Sequence, residues 1–222
     1  MASAIEQFSL IASEPRFQGW PLVGEIRRGI KIPFFGETID YQLETGNGIE
    51  PYTSILRKFG WTVCFGVTSD RKVITGIQWK PGINRGEWDL PPGGIGRISH
   101  ETTPEELLAR TQEAYLRETG YAGGEWSYLG HIMIDSGKYR GADPSDHGFP
   151  AHMYLATGIE RRQAARNPNP NEIIETLIVP LEEFPEILTS GEFDEASGKM
   201  CAALALIKLG VLTVTPETTW NI

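Results

Sequence analysis

Along this chain, runs rich in Val, Ile, Thr and aromatics are separated by polar gaps that carry glycine and proline. The clearest case is "WTVCFGVTSDRKVITGIQW", residues 61–79, where two such runs joined by Ser-Asp-Arg predict a β-hairpin. Upstream, residues 24–48 hold two more β-rich runs with a proline and glycines between them, and "ETGNG" closes the second as a turn. We read residues 1–50 as an N-terminal extension with a hairpin-like segment, and 51–222 as the main domain. A loop is expected over "KPGINRGEWDLPPGG". Strand-like runs follow at 127–135, 152–160 and 172–180, separated by polar loops at 136–150 and 161–171. Helical patterns at 181–191 and 195–210 finish the chain. Strands, helix, strands, helices in that order predict an α+β fold, an α/β/α sandwich with a mixed sheet.

The helix between these strand groups is the best-specified element. Thr103 is placed to cap it, Pro104 suits the first helical position, Glu106 completes a T-x-x-E capping box, and Gly120 is the stop. At about 100° per residue, Leu107, Thr111, Ala114 and Glu118 share one stripe. Leu107 and Ala114 turn that stripe toward protein, which places Glu118 at the end of an inward face, where a carboxylate needs a partner. Glu113 and Arg117, four apart on another stripe, are expected to form an ordinary surface ion pair.

Composition narrows the partners. A net charge of −9 argues against a nucleic-acid surface, which needs clustered cations. An acidic chain that takes a phosphorylated small molecule needs a divalent cation or placed arginines. Candidates in loops or extensions are Arg27, Arg28, Arg85, Arg97 and Arg140. No basic-then-apolar leader and no run of eighteen apolar residues is present, so a membrane span is not expected. Cys64 and Cys201 sit among apolar neighbours with no metal or redox spacing, which suits reduced thiols in the cytoplasm. The four histidines show no H-x3-H or H-E-x-x-H spacing, so each reads as a loop or strand residue.

The stretch "PPGGIGRISHETTPEELLARTQEAYLRETGY", residues 91–121, resembles the Nudix box, G-x5-E-x7-R-E-U-x-E-E-x-G-U with U apolar. Gly120, Tyr121 and Glu118 match the final G, the final U and the second glutamate of E-E. Tyr115 matches the apolar position. Arg117 stands where the first glutamate of that pair belongs, Ala114 replaces the glutamate of R-E, and Glu113 replaces its arginine. Gly94 matches the opening glycine, with five extra residues between the two ends, and Glu101 is the nearest match to the loop glutamate. "EWDLPPGGI", "LGHIMIDSG…HMYLA" and the tail from residue 171 resemble the ADP-ribose pyrophosphatase branch over roughly residues 57 to 210.

The resemblance implies a Nudix-like fold and hydrolysis of a nucleoside diphosphate derivative with Mg²⁺ or Mn²⁺. It also implies a possible homodimer built with the N-terminal extension. It assigns metal binding to Glu118 and the Gly93 carbonyl, with Glu101 as a further ligand, and makes Glu172 the candidate base. Trp88 and Tyr139 are candidates to stack on a base, and Arg97 to touch phosphate. Because Ala114 brings no side-chain oxygen, a second reading stays open, a binding module of the same fold that cuts nothing. A third has the insertion rebuild the missing ligand from Glu101, Glu105 or Glu106.

Overall fold

The computed structural model describes residues 21–32, 36–57, 59–80, 85–98, 101–134, 139–140, 150–166 and 174–213, with the single position 13. The N-terminal strands are β1 (Leu22–Ile32), β2 (Gly36–Thr45) and β3 (Gly48–Arg57). They form an antiparallel meander, and the short β10 (Tyr139–Arg140) joins the far edge parallel to β3. Alternation along β2 buries Glu37 and Ile39, and Arg28 meets the Glu37 carboxylate at 2.5 Å, so the buried charge is paired. The turn expected at "ETGNG" links β2 to β3.

The hairpin read from residues 61–79 is β4 (Phe59–Thr68) and β5 (Lys72–Lys80). The segment read as the loop 80–94 is more ordered than expected. It carries β6 (Arg85–Asp89), which pairs antiparallel with β5, and β7 (Pro92–Arg97), which pairs antiparallel with β4. Its prolines and glycines concealed strands that neighbouring backbones supply with hydrogen bonds. Beyond β8 (Tyr121–Ala122), β9 (Glu125–Met133), β11 (Pro150–Arg161) and β12 (Ile174–Pro180) complete an eight-stranded sheet among the described residues. Its central order is β12-β5-β4-β11-β8. β4 and β11 run parallel while the other pairs are antiparallel, so the sheet is mixed.

Helices cover both faces. α1 (Pro104–Thr119) lies on one, and α2 (Phe184–Thr189) with α3 (Ala196–Lys208) on the other. Period two along β4 sorts the sides: Val63, Phe65 and Val67 face α2 and α3, while Cys64 packs under α1 with Tyr115 and Tyr154. The α1 caps form as expected. The Thr103 hydroxyl accepts from Glu106 N at 3.2 Å, the Glu106 carboxylate accepts from Thr103 N at 3.2 Å, and Gly120 ends the helix at φ +80°. Gly120 has no substitute, because a Cβ there would collide with the Gln163 carbonyl. No described helix is long and apolar enough to cross a membrane.

Candidate functional site

The site is built from β7 and α1. β7 brings Gly93 opposite Thr62 of β4 with φ at +85°, and Ile95 then turns its side chain under α1. The stripe read from the sequence is where it was expected: Leu107, Thr111 and Ala114 are buried, and the Glu118 side chain is 20% exposed one turn further on. What Ala114 meets decides the chemistry. It packs with Ile95 and Leu107, and Ile98 leans on the same cluster. Ala114 is thus surrounded by aliphatic groups, an environment hostile to an unpaired carboxylate.

Glu118 has a cationic neighbour. The Arg117 guanidinium donates to its carboxylate at 2.9 Å, and Arg117 Nε is buried without a partner among the described residues. This corrects the ion pair expected between Glu113 and Arg117: Arg117 turns to Glu118, and Glu113 is exposed with no ion partner among the described residues. Adjacent residues on a helix do not normally face one another, but a long arginine side chain bends back along the surface to reach its neighbour.

Of the remaining expected residues, the described acids lie before α1 or in its first turn. Glu101 is exposed in the turn before α1, Glu105 is exposed in the first helical turn, and Glu106 is engaged by the Thr103 cap. Glu105 and Glu118 are thirteen helical steps apart, about 20 Å along the axis. The first-turn acids therefore do not rebuild a ligand set around Glu118. Trp88 packs against the core cluster under α2 and α3, and its backbone N–H donates to the Glu192 carbonyl at 3.3 Å. It belongs to the opposite side of the sheet from α1. Arg97 ends β7 and Tyr139 begins β10, while their side chains, and the whole of Glu172, lie outside the described residues.

The divalent cation that the resemblance implies would need several donors gathered at one point. Among the described residues no three His, Cys, Asp or Glu side chains gather as a metal site. With Ala114 in an apolar pocket and Glu118 facing a guanidinium, the described residues do not fit a multi-cation centre. An open groove of about 440 Å³ lies past the far end of α1, lined by Thr68, Asp70, Lys72, Tyr121, Glu160 and Arg161 among others. It holds none of the expected site residues. Its Lys72 is tied to Asp70 at 2.8 Å, and that hydrogen-bonded pairing lowers the Asp70 pKa.

Spacing along the chain gave no sign of a second constellation on the α1 face, formed by Tyr128, His131 and His152. The Tyr128 hydroxyl lies 3.3 Å from His131 Nδ1 and 3.1 Å from His152 Nδ1. Burial, then the neighbouring His131, lower the His152 pKa, and burial raises that of Tyr128. The usable sequence signal was one histidine in each of two successive strand-like runs, which antiparallel pairing brings side by side.

No family model and no curated protein matches the sequence. Among solved structures the chain is similar to one described as an ADP compounds hydrolase. The TM-score is 0.67 at 14% identity, over 88% of this chain and 98% of that one. Identity at that level speaks for architecture alone. With a mixed sheet between α1 on one side and α2 and α3 on the other, the chain has a Nudix-like α+β fold.

Proposed function

We propose that the chain binds a nucleoside diphosphate derivative, ADP-ribose or sugar-nucleotide-like, at the corner of β7 and α1, and that it cuts the diphosphate poorly or not at all. The observation that carries this reading is Ala114, buried against Ile95 and Leu107 where hydrolysis of the Nudix type calls for a carboxylate. Arg117 supports it further. Its side chain is 41% exposed and brings a permanent cation to a position where the box has an acid. A guanidinium offsets diphosphate charge directly, so binding needs fewer metal ions. In this proposal residues 1–50 form an extension to the ligand-handling domain at 51–222, and the extension is the surface through which a homodimer would form.

Hydrolysis is the second reading. Glu118 favours it, since it stands partly open on the last turn of α1, and so does the description of the structural neighbour as an ADP compounds hydrolase. In that reading Mg²⁺ or Mn²⁺ would be held by Glu118, the Gly93 carbonyl and Glu101, with Glu172 as base. Against it, among the described residues no three His, Cys, Asp or Glu side chains gather as a metal site.

The two readings part in one experiment. ADP-ribose, sugar nucleotides and dinucleoside polyphosphates are titrated calorimetrically with EDTA present, then incubated with Mg²⁺ or Mn²⁺ while monophosphate release is followed. Saturable binding in EDTA that weakens at least tenfold in Arg117→Ala, without turnover, is the expected result. Metal-dependent turnover that disappears in Glu118→Gln would replace the binding reading with the hydrolytic one.

A further inference from the structure

On a regular strand, residues three apart point to opposite faces. Tyr128 and His131 nevertheless share a face, because β9 carries a bulge: Tyr154 pairs with Tyr128 and Met153 with Gly130, leaving Leu129 as the extra residue. Gly130, at φ +113°, supplies the backbone conformation this needs. The next pair in register is His131 with His152, so two imidazoles stand directly across the β9–β11 ladder with ring centres 5.8 Å apart. Both Nδ1 atoms converge on one point, the Tyr128 hydroxyl. A phenol has one proton, so it donates to one ring and accepts from the other, which leaves one histidine with Nδ1 bare and the other with Nε2 bare.

His152 is partly buried. Thr62 stands beside His152 in register on β4, fully buried, with a hydroxyl that has no partner among the described residues. It adds a polar atom to the inner side of the cluster. Tyr128 is 51% exposed and His131 is exposed, so solvent reaches the outer side.

We propose that His131 and His152 form a binding site for a borderline first-row divalent ion such as Zn²⁺ or Ni²⁺, with water completing the coordination. Imidazole nitrogens are donors such ions prefer, whereas Mg²⁺ selects oxygen donors, so this site is chemically distinct from the cation expected at the box. Two protein ligands are fewer than a structural zinc site uses, which makes the site open and exchangeable. Tyr128 is its hydrogen-bonding neighbour, and its hydroxyl occupies the point of convergence until an ion displaces it.

The test is calorimetric titration of the full chain with Zn²⁺ alone, without any nucleotide, supported by the visible absorption of added Co²⁺. One Zn²⁺ per chain is expected, with affinity reduced at least tenfold in His131→Ala and again in His152→Gln, little change in Tyr128→Phe, and no comparable binding of Mg²⁺. Thermal melts without metal check that each variant folds, and the exposed His131 gives a variant that leaves the core intact. Absence of saturable Zn²⁺ binding, or undiminished binding in both histidine variants, overturns the proposal. Because no nucleotide is present, either outcome is independent of the reading given for β7 and α1.

Discussion

The two faces of the large sheet are built from the same strands and differ in what they tolerate. Under α2 and α3 the contacts are apolar and dry: Val63, Phe65, Val67, Met153 and Leu155 meet Phe184, Phe193, Ala202, Ala205 and Leu206, with Phe65 and Phe184 edge to face at 4.8 Å. Under α1 the same strands present Thr62, Cys64, Gly66, His152 and Tyr154. There the buried hydroxyls of Thr62 and Tyr115 have no partner among the described residues. Buried polar groups without partners cost stability, and the first face carries the larger cluster of buried apolar side chains, so it is the one that holds the fold together. The second gives up stability on the side that carries the proposed sites. Both the candidate box and the histidine pair lie on it.

Four measurements break or sharpen that contrast. The largest effect is expected on the dry face, where Phe184→Ala removes a fully buried ring and costs about 3–5 kcal/mol in urea unfolding. A loss under about 1 kcal/mol would mean that this face is not the principal core. Next comes Gly66→Ala on the other face, because a Cβ at that position collides with the Tyr115 hydroxyl. Overpacking of this kind costs about 1–3 kcal/mol, and adding Tyr115→Phe is expected to recover part of it in a double-mutant cycle.

Smaller still is the pH dependence from His152. Its folded pKa lies below the ordinary 6.5, chiefly through burial, so the unfolded chain takes up the proton first as pH falls. Its contribution to stability is therefore whole above about pH 6.5 and declines as pH drops through the lower folded value. His152→Gln should flatten that part of the stability profile, which urea melts between about pH 7 and pH 5 would show. The smallest change is Tyr115→Phe alone. Removing a buried hydroxyl that has no partner among the described residues is expected to leave stability within about 1 kcal/mol of the parent, with the sign toward stabilisation. A clear loss would reveal a hydrogen bond at that hydroxyl.

Parts of this architecture were legible in the chain because the interactions that specify them are short in range. The capping box from Thr103 to Glu106 and the stop at Gly120 each lie within four residues of the backbone groups they satisfy, so α1 could be placed before any fold was considered. The β4–β5 hairpin was legible for the same reason. β6 and β7 were not: glycine- and proline-bearing sequence reads as loop until β5 and β4 supply the ladders that hold it. The site was legible only along α1. Spacing placed Ala114 on the buried stripe, but not Ile95 above it. It could not direct Arg117 to Glu118 rather than Glu113, since that choice depends on side-chain packing at the helix surface.

By itself, then, the sequence determined the helix limits, the strand periodicity and the α+β order of elements. These are matters of residue type and local geometry. Tertiary structure alone decided that Trp88 lies across the sheet from Glu118, that the acids of the first helical turn stand an axis-length away from it, and that His131 and His152 meet. The last depends on strand register and on one extra residue at a bulge, and no interaction within a few residues encodes either.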